Sequence, residues 1–247
     1  MATPMPEDSR LAKVRSILAK AEDPAATPEE AQAYFAKAAD LMAKYGIERA
    51  MLAETRPESD KLGSRTIDVK GSYILDNANL LMSIADAIGA RSVRWRRYDR
   101  LTGRYYQHVK IYGHASTLDR VEMLYTSLLL QAHNGMKHGR PQPGESTTAY
   151  RKSWLSGFRI AVARRLETTE SRAAAEAEAL PGGRSAELVL VDRAEAVLSL
   201  FKREHPKIRT APVRRLTGSG WTEGVEAGKR ADLGQGRIAP RRAALSS

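Results

Sequence analysis

Arginine and aromatic residues alternate along one stretch of this chain, residues 91–115, RSVRWRRYDRLTGRYYQHVKIYGHA. It holds six arginines, one lysine and a single acid, Asp99, with Trp95, Tyr98, Tyr105, Tyr106 and Tyr112 set among them. That mixture supplies what a nucleic-acid strand asks of a protein, positive charge for phosphates and flat rings for bases. It equally suits a solvated sheet, where cross-strand ring and cation–π contacts stabilise the sheet itself. Two alternating runs, 92–98 and 105–112, flank DRLTGR, whose Gly103 fits a long hairpin turn. Period-two alternation gives each run two faces. Setting Val93 and Trp95 with Val109 and Ile111 against a core leaves Arg94, Arg96, Tyr98, Tyr106, His108 and Lys110 outside. Those six are the expected nucleic-acid-binding residues.

Other chemistries find less support. With no cysteine in the chain, disulfides, thiolate zinc sites and cysteine nucleophiles are all excluded. Of the five histidines, none falls in H-E-x-x-H. His114, Asp119 and Glu122 form the best metal-ligating cluster on offer, a weak one, since two acids at a helix start more often favour its dipole. GVEAGKR at 224–230 is one residue short of a phosphate-binding loop and carries Arg230 where Ser or Thr must meet magnesium. Ser199 and Lys202 match S-x-x-K without its companion motifs. No catalytic residue is assigned and no cofactor is expected. A binding protein is the leading reading, with a metal-dependent hydrolase or nuclease as an alternative.

Charge is unevenly spread over the 247 residues. The net charge is +11, yet residues 1–60 hold eight bases against eleven acids, residues 91–110 seven bases against one acid, and residues 202–247 eleven bases against four. A basic centre and tail behind an acidic head suggest a polyanionic partner, single-stranded or non-specific duplex nucleic acid. Lys207, Arg209, Arg214, Arg215, Lys229, Arg230, Arg237, Arg241 and Arg242 read as a flexible basic arm for phosphates. The bases at 151–165 (Arg151, Lys152, Arg159, Arg164, Arg165) make no single helical stripe. There is no run long and apolar enough for a membrane, and MATPMPEDSR lacks a leader's basic and apolar regions, so a cytoplasmic protein without membrane attachment is expected.

The elements that must position these residues read as α+β, mostly helical, with a small antiparallel sheet of about three strands. Residues 8–55 form a helical hairpin: Leu11, Val14, Ile17 and Leu18 share a face, Pro24 breaks it, Thr27 and Glu30 make a capping box, Tyr34, Ala38, Leu41 and Tyr45 are the buried stripe, and Gly46 ends the helix. Such a hairpin needs a partner surface, so a protein partner there is a second reading of function. An α+β domain over 64–206 follows a polar linker (54–63). RTIDVKGSYI supplies a strand, Asp76 caps a helix bearing Leu80, Leu81 and Ile84, and the hairpin spans 91–112. A helix then runs from Leu118 toward a Gly-containing loop flanked by His133 and His138. Another runs from about 148 to 180, and a last one is capped by Asp192 and Glu195. Residues 207–247 are a basic, partly flexible tail with a short helix near 221–232, anchored by Trp221 and Val225.

Ile17-Leu18-Ala19-Lys20-Ala21, then Thr27-Pro28-Glu29-Glu30-Ala31, Ala38 and Leu41-Met42-Ala43-Lys44-Tyr45-Gly46-Ile47 resemble the opening of a small bacterial and phage family of unknown function. Its members begin with a helical hairpin and continue into a second domain. IYGHASTLDRVEMLYTSLL and YRKSWLSGFRIAVARRL are similar to that second domain, so the resemblance spans about 10–235. It implies the hairpin fold at the N-terminus and no activity, and it carries over no functional residue.

Overall fold

A computed structural model describes residues 13–14, 16–17, 20, 28–177, 184–209 and 214–231. It is α+β and predominantly helical, with one three-stranded antiparallel sheet. Two compact units divide the chain, residues 1–41 with 232–247, and residues 42–231. In the first unit Val14, Ile17 and Ala38 are buried, while Tyr34 is 36% exposed with the Lys20 ammonium 5.9 Å from its ring centre. Thr27 and the tail arginines Arg237, Arg241 and Arg242 lie outside the described residues.

Helix α1 (Pro28–Thr55) does not stop at Gly46. In the second unit that glycine lets the guanidinium of Arg120 lie against the helix, where any Cβ would collide with it. Arg120, itself 3% exposed, pairs there with Glu170. The far end of α1 buries Ala43, Ile47, Ala50 and Met51 among Ala173, Ala174, Ala186 and Val189.

A 3-10 turn (Pro57–Ser59) leads into β1 (Leu62–Val69), which begins inside the expected linker. Helix α2 (Ile74–Ala87), β2 (Arg91–Asp99), β3 (Arg104–His114) and α3 (Ala115–His138) follow. Then come α4 (Thr147–Glu176), α5 (Ala186–Glu204) and α6 (Trp221–Arg230). Strand order is β1-β3-β2, so β3 is central and β2 keeps a free edge. Val69, Val109 and Ile111 are buried on one sheet face, the side of α2 and α3. On the opposite face Val93 and Tyr112 are buried with Val197 of α5, and Leu200 and Phe201 pack beside them. Both sheet faces are therefore covered over part of their length.

Two acids expected to cap helices lie inside them and meet arginines instead. Asp76 lies inside the first turn of α2, after Tyr73, and accepts from Arg214 at 2.8 Å. Asp192 sits within α5, which Ser185 caps by accepting from Leu188 N–H, and pairs with Arg184 at 2.6 Å. Helix α3 runs through His133 to His138, so no loop lies between them, and His133 Nε2 is 3.1 Å from Asn77 Oδ1.

The short helix expected near 221–232 is α6. Helix α6 lies against α4 through its glycines rather than through Trp221, which is 48% exposed. A Cβ on Gly224 would strike the carbonyl oxygen of Trp154, and one on Gly157 would strike that of Trp221. Arg165 donates to the carbonyls of Gly228 (3.0 Å) and Ala231 at the helix end. Among the described residues no helix is long and apolar enough to cross a membrane.

Candidate nucleic-acid interface

The hairpin forms where the alternation places it, and its turn is built by Asp99. That carboxylate accepts from the backbone N–H of Leu101 (3.0 Å) and Thr102 (3.4 Å), while Gly103 takes φ +64°. The backbone bond from Leu101, with the bonds from Thr102, holds its carboxyl below the usual range. Strand β1 ends at Val69, opposite Gln107, which in turn faces Arg96. Residues 97–106 therefore continue past the third strand as a two-stranded ribbon. Leu101 at its tip is 98% exposed.

Register divides the six expected residues between two faces. Opposed residues share a face, and the observed pairs are Arg94–Val109, Arg96–Gln107 and Tyr98–Tyr105 on one side. Val93–Lys110, Trp95–His108 and Arg97–Tyr106 occupy the other. The expected pairing of Val93 and Trp95 with Val109 and Ile111 is thus corrected by one residue, which moves every side chain of one strand across the sheet. Arg94, Arg96 and Tyr98 stand together; Tyr106, His108 and Lys110 stand together behind them.

The two groups also differ in electrostatics. His108 Nδ1 lies 2.7 Å from Asp68 Oδ1, and Lys110 donates to Glu204 at 2.7 Å, so acids already face that side. The Glu204 bond, followed by the bond with Tyr112, raises the ammonium's pKa. Tyr106 lies under Lys70, 5.3 Å from its ring centre. On the other side Arg94 donates to Gln107 at 3.2 Å. Burial pushes that guanidinium down, and neighbouring Arg214 adds to it. Arg96 stacks 3.7 Å from the centre of Tyr105, and Tyr105 pairs with Tyr98 at 5.0 Å. Tyr98 and Tyr105 remain 54% and 50% exposed. Among the described residues no carboxylate lies within ion-pair distance of Arg96, Arg97, Arg100 or Arg104.

Tyr105, Trp95, Arg97, Arg100 and Arg104 were not among the six. Tyr105 and Trp95 look like inward residues while the register is unknown. The arginines near the turn gain importance only because β1 ends early. The signal available for them was the density of arginine around DRLTGR.

The weak metal candidates do not converge. Arg65 donates to Asp119 at 2.7 Å and to Glu122 at 2.9 Å, occupying both carboxylates. His114 directs Nδ1 at the carbonyl of Asp60, 3.1 Å away, and burial, with the Arg193 charge, lowers its pKa. No group of three His, Asp or Glu side chains that could hold a metal occurs among the described residues.

Residues 10–49 match a family described as a protein of unknown function, DUF2786. The DUF2786 match falls on the N-terminal motif residues and stops before the sheet begins. No curated protein and no solved structure matches the chain. The hairpin must be read from its own geometry.

Proposed function

We propose that the chain is a non-enzymatic accessory protein that binds nucleic acid through the β2–β3 ribbon. Its setting is a bacterium, host or phage-borne, as the sequence resemblance implies, and the compartment proposed is the cytoplasm. The observation that supports this most is the ribbon at 97–106, rich in arginine without acid partners and bearing an exposed tyrosine pair. A two-stranded ribbon is narrow enough to enter a major groove, and exposed rings suit unpaired bases. Arg96, Arg97, Arg100 and Arg104 meet phosphates, while Tyr98 and Tyr105 give a stacking surface. Arg94, His108 and Lys110 belong to the supporting sheet, where each already has a polar or charged neighbour, and Tyr106 at the base of the ribbon lies under Lys70.

The test is fluorescence anisotropy with labelled single-stranded and duplex oligonucleotides over a salt series. Each phosphate neutralised contributes about 0.7–0.9 to the log–log salt slope. The Arg97→Ala/Arg100→Ala/Arg104→Ala variant is expected to lower that slope by about 2–3. Absence of binding at low salt, or an unchanged slope in the variant, rejects the reading.

A further inference from the structure

A cavity of about 780 Å³ opens along the free edge of β2, bounded on its far side by the chain leaving α5. Its size is that of a small-molecule site. The walls carry three kinds of chemistry. Trp95 and His205 line it with rings whose centres are 5.5 Å apart, and Trp95 is still 37% exposed. Glu204 also lines it; its Oε2 accepts from Lys110 and from the Tyr112 hydroxyl, both at 2.7 Å, which fixes the carboxylate and leaves Oε1 to accept from a ligand. Arg94, Lys207 and Arg209 bring positive charge. Ser92 completes the wall, and its buried hydroxyl has no hydrogen-bond partner among the described residues.

Rings, an oriented carboxylate and cations are together the requirements of a nucleobase with its phosphate. A purely apolar ligand would leave Glu204 and Ser92 unanswered, and a simple anion would have no use for the rings. We infer that this cavity takes one unstacked base of a single strand. The base lies against Trp95 and gives an exocyclic amino hydrogen to Glu204, while its phosphate meets Arg94 or Lys207. The inference rests on the nucleic-acid reading and narrows it to single strands bearing amino-substituted bases. Trp95 and Tyr98 are three residues apart on one strand, about 10 Å. The two rings lie on opposite faces of β2, so a strand seated on Trp95 meets the tyrosine pair only by passing round the free edge.

The experiment compares a ten-residue oligodeoxycytidine, its duplex with oligodeoxyguanosine, and cytidine 5′-monophosphate. Affinity and tryptophan fluorescence are read for the full chain, Trp95→Phe and Trp95→Ala. Wild type is expected to show saturable quenching by the single strand and by the mononucleotide, with the quenching absent in Trp95→Phe. Trp95→Ala should weaken single-strand binding about tenfold, as loss of one stacked base does, and leave duplex binding unchanged. Duplex and single strand bound alike, with no quenching and no effect of Trp95, would overturn the cavity assignment while leaving the ribbon reading intact. No binding of either oligonucleotide at low salt would reject both. Should Trp95→Ala prove unfolded by circular dichroism, the wild-type quenching and its loss in Trp95→Phe decide the matter.

Discussion

Arg193 reaches back 133 residues to Asp60, whose carboxylate is buried and accepts its guanidinium on Oδ2. The same carboxylate accepts from the backbone N–H of Ser116 at 2.9 Å and from its hydroxyl at 2.6 Å. One buried acid thereby joins the lead into β1, the first turn of α3 and the middle of α5. It answers an N-terminal N–H of α3, which has no side-chain cap of its own.

Removing one partner of that pair leaves an uncompensated buried charge. Arg193→Met is expected to cost about 3–5 kcal/mol, read by urea denaturation at neutral pH. A loss below about 1 kcal/mol would mean that water reaches the carboxylate.

The pair also sets a pH dependence. Burial pushes the Asp60 carboxyl up, but the Ser116 bonds and Arg193 outweigh it, so its folded pKa lies below the ordinary value. A depressed carboxyl contributes stability above its unfolded pKa and loses it as pH falls through the folded one. Wild type should therefore lose stability as pH drops below about 4, and Asp60→Asn should lose less over that window. Parallel melting curves for the two proteins across pH 2–5 would refute the linkage.

Close approach of α4 and α6 gives a second stability prediction. Alanine is the better helix former, by about 1 kcal/mol, yet Gly224→Ala is expected to destabilise by about 1–3 kcal/mol because its methyl meets the Trp154 carbonyl. Thr222→Ala, exposed on the same helix, serves as the control and should stay within about 0.5 kcal/mol of wild type.

The two hairpin faces are separable by salt slope. Lys110 already meets Glu204, so Lys110→Met should leave the slope of oligonucleotide binding unchanged. Arg96→Ala, on the opposite face, should lower it by about 0.7–0.9. Equal effects would place the nucleic acid across both faces.

Divalent metal should be without effect on stability. Arg65 holds Asp119 and Glu122 in an exposed network, so added manganese is expected to leave the melting temperature of wild type in place. A saturable rise would show that the arginine yields to the ion.

By itself the sequence determined the α+β class, the helical content, the strand pair with its turn and the placement of charge. Each rests on local features: alternation at 92–98 and 105–112, turn residues at 99–103, apolar spacing at Leu80, Leu81 and Ile84. What tertiary structure alone decided was which residues stand together. Val93 and Tyr112 are buried on the face also bearing His108 and Lys110 because Val197 of α5, far along the chain, covers them. With core on both sides of the sheet, alternation could not say which face was outer, and the register that separates Arg96 from Lys110 stayed invisible. Asp76 looks like a cap until Arg214 meets it from 138 residues along the chain. The ribbon projects because β1 ends opposite Gln107, a length set by pairing between strands rather than by any residue within the hairpin.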